Sequence, residues 1–163
     1  MKTPNLVSTE PGMKVQIFRL LVDQGMPWDV AIRMGAPDTL PGKHVHQAGH
    51  LYPPGERTVG RNLALVNGIY GEDAWKRAIA WMEQAGMSRT SPRDVLALCR
   101  VYPNLNTEIG FATAYVVATQ TCQFMDGECA VRVWFRNGKR EAGLPYTKIV
   151  NEPLVWYAFF DKS

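Results

Sequence analysis

The sequence predicts an α+β fold in which an N-terminal helical half of two short helical hairpins packs on a C-terminal antiparallel β-meander of about four strands. Three observations carry this. Between residues 115 and 144, Asp126-Gly127 and Asn137-Gly138 each sit between runs rich in β-branched and aromatic residues. Such dipeptides supply the positive φ angles of a two-residue hairpin turn. Upstream, apolar residues recur at helical spacing, with glycine and proline where helices stop and start. Near the C-terminus, residues 154–160 (LVWYAFF) are apolar throughout, as befits a strand buried on both faces inside the sheet.

Taken in order, residues 1–12 form a breaker-rich lead-in containing Pro4, Ser8, Thr9, Pro11 and Gly12. Met13, Ile17, Leu20, Leu21 and Gln24 share one helical face, so a helix is expected over 13–24, with Gly25 at its stop. Pro27 then opens a second helix over 28–34, because a proline at the first helical position loses no needed donor. Gly35-Ala36-Pro37 follows at once, punctuation that a DNA-reading recognition helix does not tolerate. Residues 37–60 are irregular, rich in proline and glycine, and hold all three histidines. Residues 61–70 fit helix or strand equally. A third helix spans 72–85, with Glu72 and Asp73 in its first turn, Trp75, Ala78, Ile79, Met82 and Ala85 as its buried stripe, and Gly86 as its stop. Ser91-Pro92-Arg93-Asp94 opens a fourth, running to about Tyr102. The whole reads as one domain over 1–163, mainly helical from 13 to 105 and sheet from 111 to 160.

With Asp126-Gly127 as the turn, Phe124 faces Cys129 and Cys122 faces Val131. Side chains alternate along a strand, so Val116, Ala118, Cys122, Phe124, Cys129, Val131, Val133 and Phe135 form the core side. Tyr115, Thr119, Thr121, Gln123, Arg132, Trp134 and Arg136 form the other side, which is basic and aromatic at once. In this register Cys122 and Cys129 are diagonal neighbours, too far apart for an unstrained disulfide, and reduced thiols are expected. A four-residue loop over 124–127 would instead set them opposite each other.

Composition narrows the function. The net charge of +3 is small and the basic residues are interleaved with acids, so a protein partner is favoured over nucleic acid. Three cysteines without a CxxC pair indicate neither a disulfide framework nor a zinc ribbon, and fit a cytoplasmic setting. No apolar run reaches membrane-spanning length, so a soluble chain without membrane contact is expected. There is no GxxxxGK[ST], GxGxxG or GxSxG signature. The expected function is therefore a non-enzymatic binding or inhibitor module, such as mobile elements encode as accessory proteins. Its binding residues are Tyr115, Arg132, Trp134 and Arg136 on the sheet face, with Lys139 and Arg140 at the hairpin tip, since arginine and aromatic residues dominate interface hot spots.

The alternative is a metal-dependent hydrolase. His44, His46 and His50 form H-x-H-x3-H, enough to hold a catalytic zinc with one open position, and Glu56 is the nearby base for a metal-bound water. The first pair shares a face only if extended and the second only if helical, so the site requires a break near Gln47-Ala48-Gly49. Arg57 and Arg61 beside Gly55 and Gly60 make a weaker anion-binding turn. Cys99, on the apolar face of its helix, is expected to act as a small hydrophobe.

Overall fold

Residues 13–24 carry a second periodicity that the helical spacing conceals: Phe18, Leu20 and Val22 alternate with Ile17, Arg19 and Leu21. The computed structural model, which describes residues 12–161, uses it. The segment is strand β1 (Lys14–Asp23), not a helix, and pairs along its whole length with β2 (Thr58–Asn67), which resolves the open reading of 61–70. Gly25 ends no helix; its N–H donates to the Asp23 carboxylate at 2.9 Å in a side-chain-stabilised turn. The lead-in over 1–12 lies, apart from Gly12, outside the described residues.

The remaining elements are α1 (Trp28–Gly35), α2 (His44–Gln47), α3 (Ala74–Gln84), β3 (Ser88–Arg89), α4 (Pro92–Val101), α5 (Leu105–Glu108), β4 (Ala114–Phe124), β5 (Gly127–Arg136), β6 (Lys139–Gly143) and β7 (Val155–Asp161). The strands form one sheet in the order β1-β2-β7-β4-β5-β6, with β3 added beside β7. The expected helical half on an antiparallel four-strand meander is thus overturned. The sheet has seven strands, is curled into a half-barrel, and is mixed, because β7 runs parallel to β4. Its helices are interspersed among the strands.

The apolar run at 154–160 lies where its two-sided hydrophobicity requires, between β2 and β4. Trp156 and Ala158 face the concave side with Phe18, Leu20, Val22, Leu63 and Leu65, where α1 and α4 fill the curl. Tyr157 and Phe159 face the other side, where α3 lays Trp75 and Trp81 on them with ring centroids 5.9 and 6.0 Å apart.

Helix α4 is the plug of the half-barrel, with residues 92–99 all buried. Its start follows the sequence signal: Asp94 N–H donates to Ser91 Oγ (3.3 Å) and Ser91 N–H to Asp94 Oδ2 (2.8 Å), a reciprocal capping box. The buried Asp94 carboxylate also accepts from Gln24 Nε2 (3.2 Å) and Arg61 Nε (3.4 Å). Arg93 is buried too, donating to the Met26 and Tyr52 carbonyls, and burial holds its guanidinium below its usual range. Helix α1 crosses closely because Gly35 has no side chain; a Cβ there would meet the Leu96 carbonyl oxygen at 2.4 Å.

The hairpins follow the expected chemistry with one slip. Asn137 (φ 53) and Gly138 (φ 75) form the β5–β6 turn as expected. The β4–β5 turn is instead Met125-Asp126 (φ 52 and 62), with Phe124 opposite Gly127. Gly127 is needed in the strand, since a Cβ there would lie 2.4 Å from the Tyr146 ring. Cys122 and Cys129 are consequently direct partners, not diagonal neighbours. Beyond them β4 bulges between Val117 and Thr121. Here β4 leaves β7 and β3 takes its place. Thr90 bridges the gap: its hydroxyl and that of Thr119 both donate to the Ala158 carbonyl (2.7 and 2.8 Å), and its carbonyl accepts from Gln120 N–H (2.9 Å). Thr119, expected on the solvent side, is therefore fully buried.

Candidate binding face

Cross-strand pairing places Tyr115 of β4 directly opposite Trp134 of β5, and their rings stack 5.5 Å apart at 20°. Arg132 and Arg136, two residues either side of Trp134, share its face. The Arg136 guanidinium carbon sits 3.9 Å from the Trp134 ring centroid, and that of Arg132 4.3 Å from Tyr115. The result is one continuous stack, Arg132–Tyr115–Trp134–Arg136. Each cation–π contact at a partly exposed site contributes about 0.5–1 kcal/mol, and the aromatic pair a similar amount, so the stack fixes four long side chains in one geometry. The apolar cluster under α3 ends at Val117, Ala130 and the edge of Tyr115, leaving Trp134 half-buried and Arg136 exposed.

Two hollows flank Trp134. One, of about 460 Å³, has Arg132 and Trp134 on one side and Lys43, His44 and Thr39 on the other. The smaller, of about 100 Å³, is bounded by Arg136, Asn137 and Lys139. Glu141, the β6 partner of Trp134, borders both. The wall of the larger hollow is held by the sheet edge. Asp38 exchanges two hydrogen bonds with Arg140, its N–H donating to the Arg140 carbonyl at 3.0 Å and its carboxylate accepting from Arg140 N–H at 2.8 Å, while Thr39 Oγ1 accepts from Ala142 N–H at 2.8 Å. This docking also covers an otherwise open edge strand. Among the described residues Trp134 Nε1 has no hydrogen-bond acceptor, and Arg132 Nη1 has only Glu152 at an ion-pair distance of 3.7 Å.

Of the residues expected to bind, Tyr115, Arg132, Trp134 and Arg136 are brought into contact and Lys139 stands exposed at the tip. Arg140 is turned inward. Its Nη1 donates to the Gly35 and Cys99 carbonyls at 3.0 and 2.6 Å, satisfying orphan acceptors at the C-terminal ends of α1 and α4. Lys43, His44 and Glu141 join the site without having been expected there. Glu141 was within reach, since the Asn137-Gly138 turn sets it opposite Trp134; Lys43 and His44 arrive by a long-range docking with no local signal.

The histidines are not gathered into a site. His44 and His46 lie on the single turn of α2, two residues apart and so on diverging faces. The His44 ring packs 5.4 Å from Phe124, His46 Nδ1 lies 3.4 Å from the Asp29 carboxylate, and His50 Nδ1 is 2.9 Å from the Gln47 carbonyl. Among the described residues no three histidine, cysteine or acidic side chains converge as metal ligands. Glu56 is exposed in the loop before β2. The anion turn is likewise occupied from within, because Arg61 is spent on Asp94 and the Phe160 ring.

No helix among the described residues is long and apolar enough to cross a membrane. No family model, curated protein or solved structure matches the chain.

Proposed function

We propose that the chain is a small non-enzymatic binding or inhibitor module that engages a protein partner through Trp134, Arg136 and the Asn137-Gly138 tip. The observation that carries this reading is the four-membered stack on a partly exposed sheet face. Tryptophan and arginine concentrate binding energy at interfaces, and side chains already held in place lose little rotamer freedom on association. Hollows on both sides of Trp134 offer places for a partner's side chains. Lys43, Arg136 and Lys139 outnumber Glu141 around them, so the complementary surface is acidic. The small net charge of +3 supports a protein over a polyanion such as nucleic acid. Free cysteines at 99, 122 and 129 fit a reducing, cytoplasmic setting.

The test compares partners recovered by the native chain and by the Trp134→Ala/Arg136→Ala double variant, followed by calorimetry with the purified partner. The variant is expected to keep its circular dichroism and to lose about 2 kcal/mol or more of binding, roughly 30-fold in Kd. Equal affinity of native and variant chains overturns the assignment of the face. Salt-sensitive binding of a single-stranded or duplex oligonucleotide that depends on Arg132 and Arg136 moves the reading to nucleic acid.

A further inference from the structure

The corrected β4–β5 register creates an arrangement that the binding reading neither uses nor requires. Cys122 and Cys129 are direct cross-strand partners, so their side chains lie on the same face of the sheet. Ala130 N–H turns away from β4 to the Pro145 carbonyl at 3.1 Å. By alternation the Cys129 amide turns toward β4, which makes this a hydrogen-bonded pair with Cα atoms about 5.5 Å apart. That separation is within the span a disulfide bridges without backbone movement. Both thiols are free. Cys122 is partly exposed whereas Cys129 is 2 % exposed, its Sγ 3.4 Å from the Phe124 carbonyl. The buried Tyr52 hydroxyl lies beside Cys122.

We propose that Cys122 and Cys129 are a redox-active dithiol, closed to a cross-strand disulfide by low-molecular-weight disulfides of the glutathione class. The partly exposed Cys122, as its thiolate, attacks one sulfur of the oxidised tripeptide and expels the first tripeptide thiolate. The Cys129 thiolate then attacks the Cys122 sulfur and expels the second. Two protein thiols lose two electrons, one external disulfide is reduced to two thiols, and the two protons released by the cysteines pass to the leaving thiolates. Burial, then neighbouring Cys122 and Glu128, push the Cys129 thiol up, which makes it the resolving partner and Cys122 the entry point. Cys99 takes no part, being fully buried on α4. The bridge would staple the strand end carrying Phe124, the ring against which His44 in the wall of the larger hollow packs.

The test incubates the native chain with oxidised glutathione, keeping the circular dichroism unchanged, then unfolds it, alkylates free thiols and maps peptides by mass. The expected product has lost two hydrogens, carries label on Cys99 alone, yields one linked peptide pair joining positions 122 and 129, and returns to three labelled thiols after dithiothreitol. Cys129→Ser should stop at a single glutathionyl group on Cys122, and Cys122→Ser should take up none at Cys129. Three labelled thiols in the treated native chain overturn the proposal. So does a bridge involving Cys99, a link between two chains, or stable glutathionylation of Cys122 with Cys129 intact. The native-chain result decides even if a serine variant fails to fold.

Discussion

Removing the Asp94 carboxylate tests whether α4 is held in the curled sheet as described. Asp94 is 1 % exposed on its side chain, and its carboxylate accepts from three donors, Ser91 N–H, Gln24 Nε2 and Arg61 Nε, while its own N–H donates to Ser91 Oγ. In Asp94→Ala the Ser91 Oγ cap on the residue-94 N–H survives, and only the reciprocal half of the capping box is lost. Leaving the part-buried Ser91 N–H and Gln24 amide without this acceptor costs about 1–3 kcal/mol. Arg61, 26 % exposed on its side chain, can turn to water, so its ion pair is discounted to well under 1 kcal/mol. The sum is about 2 kcal/mol, a substantial part of the roughly 5–15 kcal/mol that such a domain has in total. For a chain of this size it corresponds to a fall in Tm of about 4–8 °C. Urea unfolding followed by far-ultraviolet circular dichroism measures it, with unchanged m-value as the control. A loss below about 1 kcal/mol would refute the reasoning and show that the capping box and its two outer partners do not anchor α4.

Three further outcomes follow from the packing. Deleting the last ten residues removes the whole of β7 from the middle of the sheet, so the truncated chain should lack a cooperative melt; a normal transition would contradict the sheet order. Gly127→Ala should cost about 1–3 kcal/mol by forcing a Cβ against the Tyr146 ring, and the cost should shrink when Tyr146→Ala accompanies it, measured as a double-mutant cycle. Burial pushes the Cys99 thiol from 9.0 up to about 12. Because the folded value is the raised one, its contribution is fully present below pH 9.0 and is lost as pH rises toward about 12, by roughly 1.4 kcal/mol per pH unit. Cys99→Ala should therefore show a shallower fall in urea stability between about pH 8 and pH 10.5 than the native chain. Parallel slopes would mean that Cys99 ionises no differently in the two states.

What was legible in the sequence was local. Ser91-Pro92-Arg93-Asp94 and Asn137-Gly138 specify their cap and turn within four residues, and both form as read. The aromatic and basic face survived even though its register was wrong. Moving the turn to Met125-Asp126 and bulging β4 each change the pairing by an even number, so Tyr115 came opposite Trp134 without any side chain changing face. What failed was decided at long range. The segment 13–24 satisfies both a helical and a strand period, and only pairing with β2, more than thirty residues away, selects the strand. The parallel insertion of β7 beside β4 has no local signature at all. Nor does the docking of Asp38 and Thr39 on β6, which shapes the larger hollow and sets His44 into its wall. The histidine spacing suggested metal only while 44–50 was free to be partly extended; a helical turn there separates the first pair.

The most direct measurement is site-specific photo-crosslinking in the cells that make the protein. A photoreactive residue is placed at Lys139, on the exposed tip, and in a second chain at Lys76, exposed on α3. The account predicts a discrete protein adduct from position 139 that disappears in the Trp134→Ala/Arg136→Ala background, and none from position 76. Adducts from position 76 alone, or adducts from 139 indifferent to the double substitution, would contradict the assignment of this face as the working surface.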